Sequence, residues 1–135
     1  MKTEVLTLDT TDKQFIDITE HARKFCSNAG GDGLLNVYLP HATAGLALIE
    51  TGSGSEEDLA GVIESLLPRD DRWTHRHGSR GHGADHLLPA FVAPSLTIPV
   101  TDGAPALGTW QSIVVVDPNR DNPRRNVRLS LLTSE

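Results

Sequence analysis

Apolar and polar residues alternate over residues 4–8, which predicts a strand. Phe15, Ile16 and Ile18 predict a second, shorter one. Thr19 reads as the cap of a helix over about 20–28, which Gly30-Gly31 stops. Residues 34–39 form a strand rich in branched side chains. Residues 44–49 form another, with Leu46 and Leu48 on one face and Ala47 and Ile49 on the other. Ser55-Glu56-Glu57-Asp58 resembles a capping box. Leu59, Val62, Ile63, Leu66 and Leu67 follow at helical spacing, and Pro68 ends that helix. Residues 68–84 are polar and glycine-rich, a length of irregular chain that is often functional in a compact domain. Asp85 is placed as the cap of a short helix starting at His86, with Pro89 in its first turn; Gly81 and Gly83 argue against a helix across His82. Strands follow at 96–100, 113–117 and 127–132, with Asp102-Gly103 as a turn. About seven short strands in pairs, with two or three helices that do not alternate with them, predict an α+β fold with antiparallel pairing.

A chain of 135 residues fits one domain, residues 1–135, and buries enough surface for a real core. The net charge of −6 argues against a nucleic-acid partner, since phosphate binding needs a basic face and residues 120–128 are too short a basic cluster to supply one. Cys26 is the single cysteine, so no intramolecular disulfide forms, which suits a reducing compartment. Neither a signal-like apolar stretch nor a membrane span is evident, so a cytoplasmic, membrane-free protein is expected.

Histidine changes this picture. Four of the six histidines, His75, His77, His82 and His86, fall within residues 75–86. Imidazole is the commonest protein ligand for zinc and related metals, and a catalytic zinc site typically takes three protein ligands and leaves one position open. The segment can supply two or three of them. The competing reading is a solvated polar loop that happens to be histidine-rich, and spacing alone does not separate the two. His21, near the start of a helix, reads as a surface residue. Glu50 ends a strand beside a glycine-rich loop and reads either as a surface charge or as a general base. Gly108-Thr109-Trp110-Gln111 reads first as a turn with a core aromatic. Arg124-Arg125 reads as surface arginines or as a bidentate anion clamp.

Three ordered segments resemble the YjbQ family, whose members are described as secondary thiamine-phosphate synthases. The first is His41-Ala42-Thr43-Ala44-Gly45-Leu46-Ala47-Leu48-Ile49-Glu50. The second is Trp73-Thr74-His75, followed by Gly83-Ala84-Asp85-His86-Leu87. The third is Ile98-Pro99-Val100, then Gly103, then Leu107-Gly108-Thr109-Trp110-Gln111-Ser112-Ile113. Arg124-Arg125 before Val127 fits the family's C-terminal end. The resemblance covers essentially the whole chain. It implies a two-sheet antiparallel sandwich of about seven strands with flanking helices, and a homotrimer. It also implies a metal site of His41, His75 and His86, with Thr43, Thr109, Gln111 and Arg125 toward the substrate. Where this chain has His82, the family usually has Asn or Asp; where it has Leu88, the family often has Lys, which weakens the case for a phosphorylated substrate.

Three functions compete. The first joins a thiazole phosphate to a pyrimidine diphosphate with loss of pyrophosphate. Such chemistry usually employs magnesium, which prefers oxygen ligands, whereas a three-histidine site prefers zinc. The second is a metal-dependent hydrolase or lyase of unknown small-molecule substrate, with Glu50 shuttling the proton of a zinc-bound water. The third is a non-enzymatic module in which a closed metal site stabilises a trimer. Straight extension separates His41 from Glu50 by about 30 Å, so a site that uses both needs a turn near Ala44-Gly45 or a neighbouring chain.

Overall fold

The computed structural model describes residues 1–134. Its eight strands are β1 (Lys2–Asp9), β2 (Phe15–Asp17), β3 (Gly33–Tyr38), β4 (Gly45–Ile49), β5 (Ser95–Thr101), β6 (Ala104–Pro105), β7 (Ser112–Val116) and β8 (Arg124–Thr133). The helices are α1 (Thr19–Ala29), α2 (Ser55–Leu66) and α3 (His82–Leu87), and a 3-10 turn at Leu88–Ala90 extends the last. All pairing is antiparallel, in a five-stranded sheet ordered β1-β8-β3-β5-β6 and a three-stranded sheet ordered β2-β7-β4. The α+β class and the two-sheet arrangement are as expected. The eighth strand is the short β6, whose register Thr101↔Ala104 leaves only Asp102 and Gly103 in the hairpin loop. Both have positive φ, +50° and +74°, as a two-residue hairpin turn matching strand twist requires.

Strand β7 explains the layering. Residues Ile113 to Val116 are buried on both faces, and their run of apolar residues has no polar alternation. One face, Ile113 and Val115, joins Leu46, Leu35, Val37 and Leu129 in the core between the two sheets, where Ile18, Ala22 and Phe25 of the α1 region also pack. The other face, Val114 and Val116, meets Ile63 and Leu67 of the α2 region with Ala84 and Leu88 beneath. The three-stranded sheet is thus sandwiched between the larger sheet and the helices α2 and α3. The outer face of the larger sheet carries no helix, and Val5, Leu34, Tyr38 and Leu132 stand exposed on it. Among the described residues no helix is long and apolar enough to cross a membrane.

Helix starts differ in detail from expectation. Helix α2 begins with Gly54 in the left-handed region rather than with a serine cap, and the Glu56 carboxylate accepts the Gly52 N–H instead. Helix α3 begins four residues earlier than expected, at His82. Gly81, at φ +87°, supplies the sharp entry. Gly83 belongs inside the helix because a side chain there would collide with the His75 carbonyl oxygen and Trp73. Close packing thereby outweighs the roughly 1 kcal/mol that glycine costs a helix.

Candidate metal centre

Helix α3 puts His82 and His86 four residues apart on one face. The loop after α2 brings two more imidazoles to them. Trp73 anchors that loop, with its indole N–H donating to the Pro68 carbonyl at 2.8 Å and its ring packing against the Ile63 cluster. The bare Gly83 lets the His75 backbone lie directly on α3. As a result, one ring nitrogen each from His75, His77, His82 and His86 all lie within 4.8 Å of one another. The His82 and His86 Nε2 atoms are 2.9 Å apart, and the His75 and His77 ring centroids 3.9 Å. His82 and His86 are half-buried, while His75 and His77 face solvent.

The donor set suits a zinc-like ion. Zn–N bonds of about 2.0–2.1 Å in a tetrahedron put ligand nitrogens about 3.3 Å apart, which small ring rotations reach from the observed spacing. Desolvation by the surrounding rings and chain, and then the like charge of the neighbouring imidazoles, lower the pKa of both His75 and His86. That favours the neutral ring, the form that ligates a metal.

Polar side chains brace α3. Asp85 is 2% exposed, accepts from Asn119 Nδ2 at 2.9 Å and pairs with Arg69. Its burial raises its pKa against the opposing pull of Asn119 and Arg69. Asp121 accepts from the Ser79 hydroxyl and, at 2.9 Å, from His82 Nδ1. Behind Asp85 lies a cleft of about 670 Å³ between α2 and residues 117–120, which none of the four histidines lines.

The residues expected at the site fall in three places. His75 and His86 lie in the cluster. His77 and His82, which spacing left open, join them; for His82 the i, i+4 spacing to His86 is the available signal. Asp85 reads in the sequence as a helix cap but lies inside α3, whose entry is Gly81, and Asn119 and Asp121 carry no signal in the sequence. His41 lies elsewhere: its Nε2 accepts the Asn126 N–H at 2.8 Å, and burial followed by the nearby Arg125 charge lowers its pKa. Beside it, Arg125 is 1% exposed and turned inward. It donates to both oxygens of Asp117, at 2.8 and 2.9 Å, and to the Thr43 hydroxyl at 2.8 Å, so neither group is presented to solvent. Glu50, Thr109 and Gln111 occupy the opposite end of the β4–β7 pair, where Ile49 faces Ser112. Gln111 closes the turn there by accepting the Gly108 N–H, and Trp110 is 72% exposed rather than a core aromatic. Five residue steps from Gly45 to Glu50 span roughly 17 Å, so Glu50 stands far from Thr43 and Arg125 within one chain.

Comparison with known proteins agrees with this architecture. The model of the UPF0047 YjbQ-like proteins matches residues 4–134. A UPF0047 protein of Mycobacterium tuberculosis is 64% identical over 132 residues, covering 98% of each chain. The YugU protein of Bacillus subtilis is 31% identical, covering 90% of this chain and 91% of its own. Among solved structures, a hypothetical protein from Aeropyrum pernix superimposes with a TM-score of 0.88 at 33% identity, covering 99% of this chain and all of its own.

Proposed function

From the premise that the chain belongs to the UPF0047 YjbQ-like family, we propose that it binds one divalent transition-metal ion, zinc foremost, through His75, His77, His82 and His86. The observation that carries this reading is the convergence of four imidazole nitrogens within 4.8 Å. Four neutral ligands leave the ion its full positive charge. When bound, such an ion polarises a carbonyl or phosphoryl oxygen or lowers the pKa of a water. The solvent-facing His75 and His77 are the ligands whose place a water or substrate can take: three histidines with a water give the open position a hydrolase or lyase needs, whereas all four bound make a closed structural site. The thiazole-phosphate transfer implied by the family resemblance fits less well. Magnesium is poorly matched to an all-imidazole set, and Arg125 is committed to Asp117 and Thr43 rather than free for a phosphate.

The test is metal content. Protein stripped with chelator and reloaded should carry about one zinc per chain by elemental analysis. The double variant His82→Ala, His86→Ala should carry none while keeping its circular dichroism. A wild-type protein that stays empty in micromolar zinc refutes the reading.

The expected homotrimer is part of the same proposal. The uncovered outer sheet face, with Leu34 paired beside Leu132 and both about half exposed, offers an apolar surface for a second copy. The distance between Glu50 and the His41 region gives a neighbouring chain a role in joining them.

A further inference from the structure

Outside the four histidines, one acid touches the cluster directly. The Asp121 carboxylate sits 2.9 Å from His82 Nδ1. An ionised carboxylate only accepts, so His82 Nδ1 carries the proton, and in the neutral ring its Nε2 then presents a lone pair. That lone pair is the one 2.9 Å from His86 Nε2, on the side where the cluster closes. Metal-ligating histidines commonly hand their second N–H to a carboxylate in this way, which fixes the tautomer and raises the basicity of the ligating nitrogen.

Asp121 is itself held. The Asn119 side-chain oxygen accepts the N–H groups of Asp121 and Asn122, at 3.0 and 3.1 Å. The other end of that amide donates to the buried Asp85, the residue directly before His86. Asn119 is in turn fixed by its own N–H donating to Asp117 Oδ1, the partner of Arg125. The β7–β8 loop is thus braced on one side by a buried ion pair and on the other by α3.

We infer that Asp121 is the positioning residue of the centre, locking His82 into the tautomer that ligates through Nε2. The inference rests on the metal reading above, and the experiment separates the two. Zinc affinity is measured by competition with a chromophoric chelator for wild type, Asp121→Ala, Asp121→Asn, Ser79→Ala and Asp70→Ala. Loss of such an outer partner typically costs about 10–100-fold in affinity. That loss is expected for Asp121→Ala, with a smaller one for Asp121→Asn, whose amide oxygen still accepts. Ser79→Ala removes the hydroxyl contact to Asp121 but keeps the backbone N–H contact and the histidine contact, and should cost less than Asp121→Ala. Asp70 pairs only with the exposed Arg72, and its loss should change nothing. Imidazole nitrogen shifts in NMR supply a second readout. His82 should be Nδ1-protonated in wild type and a tautomer mixture in metal-free Asp121→Ala. Wild type that binds zinc, with an Asp121→Ala affinity unchanged or a His82 tautomer unmoved, overturns this inference and leaves the metal reading standing. Wild type that binds no zinc overturns both.

Discussion

Replacing Gly83 with alanine tests whether close packing assembles the histidine cluster. On helix propensity alone the change stabilises by about 0.5–1 kcal/mol, because Gly83 is an interior helical residue without positive φ. The new methyl, however, would stand 2.8 Å from Trp73 Cβ and overlap the His75 carbonyl oxygen. Carbon pairs pack at about 3.5–4.0 Å, so the Trp73–His75 backbone must retreat by roughly 0.7 Å. Its indole is tied to Pro68, so the segment cannot simply swing away. Overpacking of this kind costs about 1–3 kcal/mol, giving a net loss of roughly 0–2 kcal/mol. The effect on metal should exceed the effect on stability. Ligand distances tolerate about 0.2 Å, so the ring rotation that closes the cluster must also make up this displacement, which weakens the hold of His75 on the ion, with an expected loss of affinity of about 10-fold. The assay pairs chelator competition with thermal melts of the metal-free protein. Gly61→Ala is the control: it lies on α2 with open space around its Cβ position, and should gain stability with unchanged zinc binding. A Gly83→Ala protein that binds zinc like wild type would refute the packing argument.

Other outcomes follow from the same geometry. Light scattering should report a trimer at micromolar concentration, and Leu132→Asp on the exposed sheet face should shift it toward monomer; a wild-type monomer contradicts the assembly. Once a substrate is found, mixtures of Glu50→Gln with His41→Ala subunits should recover part of the activity each lacks alone, whereas sites formed within one chain recover none. His41 has a lowered pKa in the fold, so the unfolded chain takes up its proton first as pH falls through about 6.5. Its contribution to stability is therefore complete above that pH and declines below it until the lower folded pKa is passed. Denaturant unfolding at pH 5–8 should show a steeper acid loss for wild type than for His41→Gln; parallel curves would show that His41 does not titrate in this way.

Periodicity makes most strands and α2 legible, because β5 alternates and α2 carries its apolar residues at helical spacing. Helix α3 was misplaced because propensity penalises Gly81 and Gly83, while the reasons for them, a left-handed entry and a crossing backbone, are tertiary. The same holds for the site. Four histidines within residues 75–86 announced it, yet nothing local shows that Asp121, 39 positions beyond His82, turns toward it. Nor does sequence reveal that Arg125, in a basic stretch that reads as surface, is buried against Asp117.

All four imidazoles come from one stretch of twelve residues, 75–86, and this has a thermodynamic consequence. Loops this short cost little entropy to close, and doubling a loop adds only about 0.6 kcal/mol. On the proposed metal reading, the unfolded or nascent chain therefore already holds the four ligands close together. An ion that binds both states stabilises only by the difference between them. Saturating zinc should then raise the melting temperature less than its affinity for the folded protein implies. On the same reading, a metal would load while the β-sheets are still unformed, and folding would then tighten the grip by bringing Asp121 up to His82.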